Sequence, residues 1–112
     1  MDMSRLEKLL EFLKNEPEDE FLQYALATEY LRLSETEKAL QYYENLVNNH
    51  PGYVGTYYHL GKLYEALERK PDAITTYEKG MEVAKSKRDN HAFSELQAVY
   101  REATGFDEDD DY

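Results

Sequence analysis

Three histidines, His50, His59 and His91, and 24 carboxylates are the side chains with the chemistry for metal binding or proton transfer in this chain. A metal site needs such ligands at a spacing that brings them onto one helix face, as in His-x-x-x-His. The histidines lie on different helices or loops without that spacing, so no metal site is expected. Paired carboxylates act as general acid and base in many enzymes, but with this many acids, pairs arise from composition alone and single out no position. The absence of cysteine removes thiolate nucleophiles, disulfides and sulfur-ligated clusters. The five glycines are scattered and form no phosphate-cradling loop, and no Ser/His/Asp set stands in a strand-turn-helix context. No catalytic residue and no cofactor is expected, and the chain reads as non-enzymatic.

The charge balance narrows the partners. A formal net charge of −11 opposes binding to nucleic acid, whose phosphates are held by clustered Lys and Arg. Five of those charges sit in Asp107, Glu108, Asp109, Asp110 and Asp111, leaving −6 on the rest. Residues 106–112 therefore read as an acidic, disordered tail after the helix stop at Gly105; the sharper alternative is that this tail docks into the binding face. The N-terminal residues run straight into an amphipathic pattern without a long apolar core, so neither a signal peptide nor a membrane span is expected. A cytoplasmic location fits the lack of cysteine.

Any binding side chains must be positioned by helices. Apolar residues recur at three- and four-residue intervals, and the alternation that marks strands is missing. The pattern predicts an all-α chain of about six helices near residues 4–14, 19–33, 36–49, 53–67, 71–86 and 90–103. Ser4 with Glu7, and Ser34 with Glu37, match the capping box at a helix start. Pro71 suits a first turn, and Asp89-Asn90 offers a cap for the sixth helix. The intervening turns are short, so successive helices pack antiparallel.

Shifted on itself by 34 residues, the chain brings like residues into register: Leu26 on Leu60, Ala27 on Gly61, Tyr30 on Tyr64, Ala39 on Ala73, Tyr43 on Tyr77 and Pro17 on Pro51. The first helix matches the third at the same shift, and the sixth matches the fourth at a shift of 36 through Phe93, Leu96 and Tyr100. The first and last helices are thus half-units. Small residues at 27, 39, 61 and 73 suit helices about 8–10 Å apart, and the four tyrosines fill the wedges between pairs.

These positions resemble the tetratricopeptide repeat family, whose unit carries an aromatic, Leu, Gly/Ala and Tyr on one helix and Ala, an aromatic and Pro on its partner. Tyr57, Leu60, Gly61, Tyr64, Ala73 and Tyr77 fit the second unit, and Leu26, Ala27, Tyr30, Ala39, Tyr43 and Pro51 the first. Departures are Gln23 for the large aromatic, Leu46 and Gly80 for Ala, Lys85 for the third Pro, and Ser34 and Glu68 at the usual turn glycine. The resemblance implies antiparallel helix-turn-helix repeats stacked into a short right-handed superhelix. Residues 1–105 then form one domain, with a half repeat at 4–18, repeats at about 20–53 and 54–87, and a capping helix at 90–103.

The resemblance further implies that the first helix of each pair lines a concave, peptide-binding face. On the fourth helix the flank beside the core carries Gly55, Tyr58, Lys62, Glu65 and Ala66. Its equivalents are Phe21, Tyr24, Thr28, Leu31 and Arg32 on the second helix, and His91, Ser94, Ala98 and Arg101 on the sixth. Arg32, Lys62 and Arg101 beside these aromatics would suit a guest with a carboxylate and an apolar side chain; the alternative is that Arg32 and Lys62 pair with nearby acids such as Glu35 and Glu65. The carboxylate clamp of some family members would require Lys, Asn and Arg where this chain has Tyr24, Thr28, His59, His91 and Glu95, so that mechanism is disfavoured.

The function expected is a scaffold for a protein or peptide ligand. The alternative is a homo-oligomerising module, monomer or weak homodimer, because Met3, Leu6, Leu9, Leu10, Phe12 and Leu13 cover about half of the first helix, more than the roughly 100° needed to cap one neighbour. Phe12 either forms that surface or packs into the region of Phe21.

Overall fold

A computed structural model describes residues 2–105, with side chains from residue 5 onward. The side chains of Met3 and Ser4, and with them the Ser4 cap, lie outside what is described, as does the acidic tail. Helices α1 (Asp2–Asn15), α2 (Glu20–Arg32), α3 (Thr36–Asn49), α4 (Gly55–Ala66), α5 (Lys70–Ser86) and α6 (Asn90–Thr104) account for the regular structure, and no strand occurs among the described residues. The predicted boundaries fall within two residues of these.

The helices group into two compact units divided between Tyr53 and Val54. In the first unit α2 packs on both α1 and α3; in the second, α5 packs on both α4 and α6, and α4 also touches α6. The periodic apolar positions are those that close each core. Leu26, Ala27, Ala39, Tyr43 and Leu46 are fully buried in the first unit, and Ala73, Tyr77 and Ala84 in the second. Tyr30 and Tyr64 are buried as well.

The turns repeat more faithfully than the side chains do. After α2 the Glu35 N–H donates to the Tyr30 carbonyl at 2.8 Å and the Ser34 N–H to Leu31 at 3.0 Å; after α4, Arg69 donates to Tyr64 at 2.8 Å and Glu68 to Glu65 at 2.9 Å. After α5, Asp89 donates to Ala84 at 2.9 Å and Arg88 to Lys85 at 3.1 Å. This pair of bonds is a Schellman stop, which places one residue in the left-handed region. Ser34, Glu68 and Arg88 occupy it, at φ of 66°, 61° and 59°.

That geometry corrects the reading of Ser34 as a helix start. Ser34 terminates α2, and α3 begins after Glu35, whose side chain makes no capping bond. The capping-box spacing was coincidental, because the left-handed backbone already commits Ser34 to ending the preceding helix. Side-chain caps occur instead at Asp19, which accepts from Leu22 N–H at 2.9 Å, and at Asp89, which accepts from Ala92 N–H at 3.0 Å.

Candidate functional site

In the first unit the expected binding residues of α2 do not converge. Tyr24 is half-buried with its ring edge-on to Tyr43 at 6.3 Å between centroids and tilted against Tyr53 at 5.6 Å. Burial, then the neighbouring Tyr43 and Tyr53, push its phenol above the ordinary value. Thr28 donates to the Tyr24 carbonyl at 3.1 Å, which leaves its Oγ1 to accept from the Tyr43 hydroxyl, also at 3.1 Å. Phe21 turns the other way. It is 61% exposed and, with Phe12, lines a shallow cavity of about 350 Å³ beside Asn15, Glu16, Asp19 and Leu22.

Leu31 is exposed, whereas Arg32 is engaged. Its Nε and Nη2 donate to the two carboxylate oxygens of Glu29, and Arg5 of α1 lies 3.2 Å from the same carboxylate. Glu29 is only 3% exposed, and these bonds, the Arg32 one foremost, hold its carboxyl below the ordinary range. Glu29, one turn earlier on α2, thus engages Arg32. Side chains three residues apart share a helix face.

In the second unit α4 and α6 frame an open cleft of about 290 Å³ lined by Val54, Gly55, Tyr58, His59, Ala92, Glu95 and Leu96. Tyr58 is the expected aromatic, and its ring meets His59 edge-on at 5.5 Å. Lys62, His91 and Arg101 are exposed and outside the lining. His91 Nε2 lies 3.2 Å from Glu95, one turn along α6. Glu65 accepts the Tyr77 hydroxyl at 2.6 Å. Burial first, and then Glu65, push Tyr77 far above the ordinary phenol range.

Ala92 and Leu96 were not singled out as a binding surface from sequence, and His59 and Glu95 were named only as positions equivalent to a carboxylate clamp. The signal was there, since Ala92, Glu95 and Leu96 have the three- and four-residue spacing of one helix face. Half-burial pushes the His59 imidazole below its ordinary value, against an upward pull from Glu95. Among the described residues no group of three or more His, Asp and Glu side chains is placed to hold a metal ion, and no helix is long and apolar enough to cross a membrane.

The arrangement of helices and turns is shared with known proteins. A family model described as anaphase-promoting complex, cyclosome, subunit 3 matches residues 3–80. A tetratricopeptide repeat domain protein from Salinibacter ruber is 50% identical, the match covering 82% of this chain and 93% of that one, with a TM-score of 0.77. The chain belongs to the tetratricopeptide repeat family. A Bordetella parapertussis protein is 24% identical over 91% of this chain and 89% of its own, with a TM-score of 0.75. The TPR2B-domain:pHsp70 complex of yeast Sti1 gives a TM-score of 0.80 at 17% identity, covering 89% of this chain and 80% of that chain. No curated protein matches the sequence.

Within the tetratricopeptide frame, the departures resolve into compensations. Gln23, 4% exposed, donates to the Pro17 carbonyl at 2.8 Å and accepts from Asn45 at 2.9 Å, so its amide ties the turn before α2 to α3. Its repeat equivalent, Tyr57, is instead a buried ring laid over Gly80, where an added Cβ would sit 2.5 Å from the Tyr57 Cβ. Leu46 is the equivalent of Gly80 by the 34-residue register. The large aromatic therefore meets a glycine in one unit, while the smaller amide accompanies a leucine in the other.

Proposed function

We propose that the chain is a non-catalytic adaptor that holds a peptide segment of another protein against the α4–α6 face. The observation that carries this reading is the open cleft beside Tyr58, of a volume suited to one guest side chain. Tyr58 supplies area at little rotamer cost, and Val54 and Leu96 supply an apolar floor. Family membership supports the same role, and the yeast Sti1 relative is described as a complex with pHsp70. Within the first unit Phe21, Tyr24, Thr28, Leu31 and Arg32 are the corresponding set, and Lys62, Glu65, His91 and Arg101 flank the cleft residues in the second. The chain's lack of cysteine suits work in a reducing cytoplasm.

So short a surface gives modest affinity, on the order of micromolar, or about −8 kcal/mol. Peptides selected from a random dodecapeptide library should shift the amide resonances of Tyr58, His59 and Glu95 and bind the Tyr58→Ala variant more weakly. Selected peptides that perturb only other residues would sink the reading.

A second reading, self-association, rests on Phe12 and Phe21, which are 56% and 61% exposed around one cavity. Light scattering should then show a dimer that Phe12→Glu dissociates; a monomer at all concentrations removes it.

A further inference from the structure

We propose that the guest of the α4–α6 cleft is a basic segment, with a lysine or arginine side chain laid across Tyr58 and its cationic head on Glu95. This deepens, and rests on, the reading of that face as a peptide site. Glu95 is the one carboxylate among the lining residues, and half-burial disfavours the charged form of His59 beside it. Lys62 and Arg101 do not line the cleft, and Arg32 is committed to Glu29.

Carboxylates also stand among the groups around the cleft, which include the exposed Lys62 and Arg101. Glu65 and Glu102, together with Tyr58, act electrostatically on the Tyr77 hydroxyl, so carboxylates flank the aromatic edge of the site. The cleft also matches the two-part chemistry of a long basic side chain, whose methylenes cover apolar surface while the head stays near water. Val54, Ala92 and Leu96 offer that surface, and the Tyr58 ring face attracts a cation. The present contact of Glu95 is the exposed His91, a weak competitor that a guest cation can displace. The net charge of −11 steers such a guest toward the molecule.

The test is fluorescence anisotropy with a labelled decapeptide of alternating Lys and Leu and its Glu/Leu counterpart, against wild type, Glu95→Gln, Tyr58→Ala and Glu82→Gln. Glu82 is an exposed acid of α5 and reports diffuse attraction. The proposal expects the basic peptide to bind, with roughly tenfold loss in Glu95→Gln and Tyr58→Ala, as befits a lost charge-assisted contact, and little change in Glu82→Gln. Circular dichroism melts identify variants that unfold, and Glu95→Asp should retain part of the binding. Equal losses in Glu95→Gln and Glu82→Gln overturn it. Preference for the acidic peptide, with loss in Tyr58→Ala, overturns the charge while keeping the peptide site. Binding of neither peptide, or binding indifferent to Tyr58→Ala, removes both.

Discussion

Two glycines show how closely the second unit is packed. A Cβ on Gly61 would lie 2.1 Å from Cε1 of Tyr77, a ring that is fully buried and anchored through its hydroxyl to Glu65. Gly80 is similarly closed by Tyr57 and by Leu96 at 3.1 Å. Alanine at either position gains about 1 kcal/mol of helix propensity, yet neither the anchored Tyr77 ring nor the Tyr57 Cβ can easily yield. Gly61→Ala and Gly80→Ala should each destabilise by about 1–3 kcal/mol in chemical denaturation. Because the nearest obstacles are the Tyr57 Cβ and Cγ, which leucine keeps, Gly80→Ala should cost nearly as much in a Tyr57→Leu background, as a double-mutant cycle would show. Sequence spacing identified Gly61 as a small contact residue, but it marked Gly80 only as a departure from Ala. Its need for hydrogen instead of methyl depends on how closely the α4 backbone brings the Tyr57 Cβ to it.

The inter-helix stops define the element scale. Left-handed backbone costs an L-residue roughly 1–2 kcal/mol relative to glycine, and Ser34, Glu68 and Arg88 all bear it at their Schellman turns. Glu68 is exposed, so removing its side chain opens no cavity. Glu68→Gly should raise stability by about 1 kcal/mol, a rise of several degrees in Tm for a chain of this size. A fall in Tm would mean that the Glu68 side chain makes a compensating contact. The six helices were legible because their apolar period is strong. The role of Ser34 was not, because a serine followed three residues later by glutamate satisfies a start signal, while ending a helix depends on a backbone angle.

Charge and burial together set the pH response of the whole molecule. His59 is held below its ordinary value of 6.5, so the folded chain binds fewer protons there than the unfolded chain and stability falls as pH drops below about 6.5. Glu29, held below 4.5, adds a further loss as pH falls through its folded value. Tyr24, Tyr42, Tyr43, Tyr53, Tyr57, Tyr77 and Tyr100 are all raised above 10, mostly by burial. Their contribution is complete below pH 10 and is lost as pH rises above it. Melts across pH should therefore give a plateau from about 7 to 9.5 and a fall on both sides. A flat profile above pH 10 would contradict the buried tyrosine network.

The sequence by itself determined the helix order, the repeat register, the tyrosine and small-residue positions of each core, and the lack of catalytic spacing. These follow from local periodicity, which one helix turn is enough to express. Tertiary structure decided which polar groups remain available. Arg32 is occupied by Glu29, Glu65 by Tyr77 and Thr28 by Tyr43, while Tyr58 and Glu95 meet at one cleft. Hydrogen bonds and burial of this kind join residues distant in sequence or depend on side-chain rotamer, and neither is written in the spacing of residue types.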